Sequence, residues 1–231
     1  MPIAPSGEQF EIRSGPQRAT IVEVGGGVRE YVVGQRRVLD PYPLEAICDG
    51  AHGAPLIPWP NRLADGTYRF DGSDHTVALT EPDKHNAIHG FLLWRSWQAV
   101  EHETSRVVMR TRLHPLMGYP FTLDVQVAYE LGDDGLVVST TATNLGDRAC
   151  PYGAGQHPYL SPGHGSVDDC TLQLDAATRI LTDTIASSRP ERHRCKGRDL
   201  TLGPLVASAT SSSTAPSLTW RATPTGVRGR A

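Results

Sequence analysis

Three short segments carry side chains able to bind a polar substrate and move protons. In Ala54-Pro-Leu-Ile-Pro-Trp-Pro-Asn-Arg-Leu63, Pro55, Pro58 and Pro60 precede Asn61 and Arg62, and such closely spaced prolines stiffen the backbone. A guanidinium held there is either a preorganised donor fork for hydroxyl or carboxylate oxygens, or a surface arginine paired with a nearby acid such as Asp65. In His85-Asn-Ala-Ile-His89-Gly-Phe91 the two histidines have metal-ligand spacing only if they lie on a helix. Pro82 and Gly90 bracket them and argue against that helix. His89 is therefore read as a partly buried hydrogen-bonding group or as a satisfied structural histidine. In Pro151-Tyr-Gly-Ala-Gly-Gln-His157-Pro-Tyr-Leu160, Gly153 and Gly155 permit close backbone approach, and Pro158 restrains the chain after His157. An imidazole oriented in this way suits proton transfer near neutrality. A structural turn is the competing reading.

The elements that must position these segments read as strands. Phe121, Leu123, Val125, Val127, Tyr129 and Leu131 alternate on one face; Gly132-Asp-Asp-Gly135 turns the chain, and the β-branched run Leu136–Thr143 follows. Tyr68–Phe70 and His75–Leu79 around Asp71–Asp74 predict a second hairpin, and Thr20–Val24 with Val28–Val33 around three glycines a third. Arg106–Leu113 pairs naturally with Trp97–Glu103. No segment shows a helical pattern, and no repeat recurs at a fixed period. The expected fold class is all-β, a mostly antiparallel β-sandwich. Pro41–Asp65 and Thr80–Trp94 do not fit as strands and are expected as long functional loops.

The order Pro-Trp-Pro-Asn61-Arg62, Asn86-Ala-Ile-His89-Gly, Gly153-Ala-Gly-Gln-His157-Pro-Tyr resembles that of the aldose 1-epimerase (galactose mutarotase) family. Gly66-Thr-Tyr-Arg-Phe-Asp-Gly72 and Trp94-Arg-Ser-Trp97 are similar to it as well, and the likeness spans roughly residues 10–185. The resemblance implies a β-supersandwich and interconversion of α and β anomers of free aldoses through the open-chain aldehyde. It makes His157 the general acid, with Asn61, Arg62 and His89 binding substrate. Trp59 is a plausible cover for an apolar sugar face. The partner implied is a small-molecule sugar, an aldohexose such as glucose or galactose. Proton transfer alone requires no metal and no cofactor.

The 231 residues fit one large domain or two small ones, and a net charge of −3 argues against a globally basic nucleic-acid binder. Glycine and proline, 23 and 18 residues, interrupt any long helix. No run approaches the roughly 18 apolar residues of a membrane span. Met1-Pro-Ile-Ala-Pro5 has neither a basic region nor an apolar stretch, so the expected compartment is cytoplasmic. Cys48, Cys150, Cys170 and Cys195 lack metal-ligand spacing and read as buried or idle thiols.

The totals conceal an asymmetry. Residues 1–179 hold 14 basic and 22 acidic residues, net −8, whereas residues 180–231 hold 8 and 3, net +5. Only Trp220 among the 15 aromatics lies beyond residue 161. The expected organisation is a mutarotase-like sandwich over residues 1–190 and an atypical Ser/Thr/Ala/Pro-rich basic tail over 191–231. The resemblance implies a C-terminal glutamate as general base and an upstream substrate-binding aspartate. The last acids here, Glu191 and Asp199, have neither context. A truncated or frame-shifted C-terminus and impaired turnover are therefore expected. A non-catalytic carbohydrate-binding domain or an inactive truncated remnant is the alternative.

Overall fold

The alternating apolar pattern becomes strands. A computed structural model of the chain describes residues 3–161 and the strand segments 178–182, 188–194, 206–207 and 217–222, for which the backbone pairing is given. In chain order the strands are β1 (Gln9–Ser14), β2 (Gln17–Val22), β3 (Val28–Val33), β4 (Arg36–Leu39), β5 (Pro55–Leu56), β6 (Arg62–Ala64), β7 (Thr67–Phe70), β8 (Ser73–Thr76) and β9 (Asn86–Ile88). They continue with β10 (Gln98–His102), β11 (Arg106–Leu113), β12 (Leu123–Gly132), β13 (Gly135–Asn144) and β14 (Ala154–Gln156). Beyond these lie β15 (Thr178–Thr182), β16 (Ser188–Arg194), β17 (Val206–Ala207) and β18 (Ser217–Ala222). A 3₁₀ turn at Pro82–Lys84 is the only helical element among the described residues.

Two antiparallel sheets, β1-β2-β3-β4 and β10-β11-β12-β13-β18, face each other across one apolar core. Phe10, Ile12, Ala19, Ile21 and Tyr31 from the first meet Val107, Met109, Val125, Val127 and Tyr129 from the second. Each inner face takes alternate residues, which is why the period-two pattern is legible. Polar contacts also link the two halves: the Tyr129 hydroxyl donates to the Gly26 carbonyl at 2.5 Å, Gln17 Nε2 to the Gly132 carbonyl at 2.8 Å and Arg13 N–H to the Thr104 carbonyl at 2.6 Å, and His102 Nε2 lies 2.9 Å from the Glu11 carbonyl oxygen. The fold is the all-β antiparallel sandwich that the pattern predicts.

The expected hairpins form, with shifted ends. β12 and β13 pair from Leu123↔Asn144 to Gly132↔Gly135, with Asp133-Asp134 at the tip. β7 and β8 close more tightly than expected: Phe70 pairs with Ser73, leaving only Asp71-Gly72 as loop. Both loop residues have positive φ, 48° and 75°, the requirement of a two-residue turn that matches strand twist. β2–β3 and β10–β11 pair as anticipated.

The two long segments expected as loops are corrected in part. Each contains short strands: β5 pairs with β14, and β6 pairs with β9. Strands of two or three residues are too short to show alternation, so no sequence pattern announces them. Most of the tail expected from residue 191 lies outside the described residues. Within it, β17 pairs with β14 and β18 extends the larger sheet beside β13.

Candidate active site

The short pairings converge on the three motif segments. β6 and β9 run antiparallel with Arg62 opposite Ile88, and the exchange continues one residue beyond the ladder. His89 N–H donates to the Asn61 carbonyl at 2.9 Å, and Asn61 N–H donates to His89 Nδ1 at 3.1 Å. Both residues are buried and both have left-handed φ, 60° at Asn61 and 63° at His89. L-residues adopt that region at a cost of about 1–2 kcal/mol, least for asparagine, so the surrounding contacts hold the pair in place. Gly90 follows with φ 75°, and a Cβ there would meet the Ile57 carbonyl oxygen at 2.0 Å. Only glycine lets the histidine loop lie against Ile57-Pro58, whose peptide bond is cis.

His157 arrives from the other side. β14 pairs with β5 through Gly155↔Leu56 and Gln156↔Pro55. The ladder is extended by His157 N–H to the Ala54 carbonyl at 3.1 Å and Gly53 N–H to the His157 carbonyl at 2.8 Å. The rings of His89 and His157 then sit edge to face, with centroids 5.4 Å apart. Tyr159 stacks on His157 at 5.2 Å, and His52 stacks on Tyr159 at 3.7 Å. His52 Nε2 lies 2.7 Å from the Asp40 carbonyl oxygen, an acceptor only, so that nitrogen carries the proton.

Electrostatics assign the protonation states. Burial, reinforced by His157 and Arg62, lowers the His89 pKa to about 4. Its Nδ1 accepts from a backbone N–H, which leaves Nε2–H as the donor of a neutral ring. Burial also pushes His157 below its ordinary value, with His52 adding to the effect. Both imidazoles are thus predominantly neutral at pH 7.

Arg62 does not pair with Asp65, which faces the exposed His85 at 3.8 Å. Its partner is Glu81, bound through both Nε–Oε2 and Nη2–Oε1, the latter at 2.8 Å. The mutual hydrogen bonds hold the guanidinium firmly protonated and the carboxylate below its usual range. Nη1 reaches Asn61 Oδ1 at 3.3 Å. Glu81 is the residue that sequence reasoning missed. It lies 19 positions from Arg62, and only the β6–β9 register shows the two to be neighbours. Trp59 lies at the same edge, half-buried, its ring edge-on to Phe91 at 4.8 Å and its N–H near the Ala87 carbonyl at 3.4 Å.

The structure therefore brings together Asn61, Arg62, His89 and His157, all four residues expected at the site. The cluster offers a neutral N–H donor, a charge-compensated guanidinium and a second imidazole, a set suited to polyhydroxylated ligands. Among the described residues no group of three or more His, Cys, Asp or Glu side chains is arranged to hold a metal ion. Glu191 falls in β16, whose backbone approaches β6, but its side chain lies outside the described residues, as does Asp199.

Residues 8–205 match the sequence model of the aldose 1-epimerase family. The chain belongs to that family. The uncharacterized protein YihR of Escherichia coli (strain K12) is 38% identical over 189 residues, a match covering 81% of this chain and 61% of that protein. Human galactose mutarotase is 28% identical over 193 residues, covering 76% of this chain and 54% of the relative. The chain thus spans a little over half the length of these two relatives. Among solved structures, the GalM/aldose epimerase homologue from C. elegans shares the fold with a TM-score of 0.71 at 20% identity, over 81% of this chain and 61% of that one. A galactose mutarotase-like protein from Clostridium acetobutylicum gives 0.68 at 20% identity over the same shares.

Proposed function

We propose that this aldose 1-epimerase family chain binds a free aldohexose, such as glucose or galactose, and interconverts its anomers by acid/base ring opening. In this reading Arg62, Asn61 and the Nε2–H of His89 hold sugar hydroxyls and the ring-oxygen region. His157, in its protonated form, delivers a proton to the ring oxygen as the C1–O5 bond breaks, while a base removes the proton of the C1 hydroxyl. Rotation about C1–C2 and reversal of both transfers close the ring on the other face. Proton transfers account for the whole reaction, so it calls for no metal or organic cofactor. The cytoplasm, where free aldoses are metabolised, is the compartment we assign.

The observation that carries the reading is the meeting of the His89 and His157 rings at 5.4 Å beside Arg62, through two separate strand pairings. A second reading rests on the acids. Among the described residues Glu81 is the only carboxylate whose charge bears on either histidine, and it is committed to Arg62. Without another carboxylate as base, the same cluster is a carbohydrate-binding site with slow turnover at most.

Polarimetry of freshly dissolved α-glucose and α-galactose, with and without protein, tests the first reading. Accelerated relaxation to the anomeric equilibrium is expected. Sugar binding detected by titration without acceleration favours the second reading, and absence of binding overturns both.

A further inference from the structure

We propose that Glu81 is a positioning residue of the sugar site: it clamps one side of the Arg62 guanidinium and so aims the opposite edge at the substrate. The inference rests on the reading that Arg62 contacts sugar. A surface ion pair between mobile side chains contributes little. This pair differs in burial and geometry. The two side chains are only 16% and 21% exposed, and the contact is two-pronged, through Nε and Nη2, the arrangement that adds directional specificity to charge.

Both ends of the clamp are mounted on one framework. Glu81 exchanges backbone hydrogen bonds with Asn86, 2.9 Å from its own N–H and 3.1 Å to its own carbonyl. Asn86 opens β9, and β9 is the strand that pairs with Arg62 in β6. The neighbouring Thr80 hydroxyl oxygen accepts from Ile88 N–H at 2.8 Å, tying the same loop to the same strand. The side-chain pair therefore closes a circuit that the backbone ladder begins.

The donor inventory shows the consequence. A guanidinium has five N–H donors. Glu81 takes one on Nε and one on Nη2, and Asn61 Oδ1 takes one on Nη1. Among the described residues two donors remain, one on each terminal nitrogen, able to meet oxygens of a polyol. Lys84 Nζ lies 3.4 Å from the same carboxylate, but its side chain is 56% exposed, so it adds charge without fixing direction. Arg62 without Glu81 keeps its charge and loses its aim.

A double-mutant cycle with Glu81→Gln, Arg62→Ala and the combination tests this, with folding checked by thermal melts. Aldose affinity is measured by titration, KM and kcat by polarimetry, and the Arg62 Nε–H by ¹H–¹⁵N NMR. E81Q is expected to weaken aldose binding about tenfold, with the loss falling on KM rather than kcat. It should have no further effect in the R62A background. Unchanged affinity in E81Q, or an equal loss with and without Arg62, overturns the proposal. The NMR readout separates this failure from that of the functional reading. If the wild-type chain binds no aldose, a protected Arg62 Nε–H signal lost in E81Q still upholds the clamp, and one retained in E81Q overturns it. Should E81Q fail to fold, Glu81→Asp serves in its place, because it keeps the charge while withdrawing the carboxylate by one methylene.

Discussion

His89 and His157 are neighbours in different settings. His89 Nδ1 is occupied by the Asn61 N–H, so the ring is fixed as an Nε2–H donor and protonates only near pH 4. His157 is held through its backbone between Ala54 and Gly53, and its half-buried ring packs against those of His89 and Tyr159. Replacing His157 by Gln is expected to lower kcat by ~10²–10⁴-fold, read by polarimetry, while aldose affinity changes much less. The pH profile carries a sign. Burial lowers the His157 pKa below its ordinary 6.5, so the acid form grows only as pH falls below that value. Mutarotation should therefore accelerate as pH is lowered through the region beneath 6.5. A profile in which the acid form is already half-populated at or above pH 6.5 would falsify this assignment.

At the scale of elements, the site depends on strands of two or three residues that could not persist alone. β6–β9 and β5–β14 each contribute few ladder bonds, and their stability comes from the sandwich against which they lie. Gly90 is a tight point of this arrangement. Gly90→Ala puts a methyl within 2.0 Å of the Ile57 carbonyl oxygen at a φ of 75°, combining a backbone clash with an unfavourable conformation. Gly34→Ala is the matching control: its φ is 61° and nothing lies within 4 Å of the added carbon. The control is expected to lose about 1–2 kcal/mol from φ alone. Gly90→Ala should lose more, at least about 3 kcal/mol, and should also lose aldose binding. Urea midpoints of the two variants decide the matter; equal losses would show that the Ile57 contact relaxes freely.

For the whole molecule, the buried histidines couple the site to stability. His89 titrates at about 4 in the fold and near 6.5 in an unfolded chain. Between those values the unfolded state binds the extra proton, so stability is full above pH 6.5 and declines as pH falls toward 4. The full shift corresponds to something on the order of 3 kcal/mol. His157 acts in the same direction beneath pH 6.5. Thermal melts between pH 7 and 4.5 should show a smaller decline for His89→Gln than for wild type, since the carboxylate contributions are common to both. An equal decline would mean that His89 is solvated and not buried.

By itself the sequence determined the sandwich and the identity of the chemical groups. Alternation from Phe121 to Leu131 reports burial on one face of a strand, a local property that survives without knowledge of neighbours. The Asp71-Gly72 and Gly25–Gly27 turns likewise announce hairpins locally, although the first closed two residues tighter than its composition suggested. Asn61, Arg62, His89 and His157 could be singled out from residue type and motif. Tertiary structure alone decided how they meet. Strands as short as Pro55–Leu56 and Asn86–Ile88 have no periodicity to read, so two segments that looked like loops are in fact the struts of the site. The partner of Arg62 shows the reason most plainly. Asp65 is close along the chain, but Glu81 is close across a strand register. Between strands this short and this far apart in sequence, neither a turn nor an alternating pattern is available to set the register.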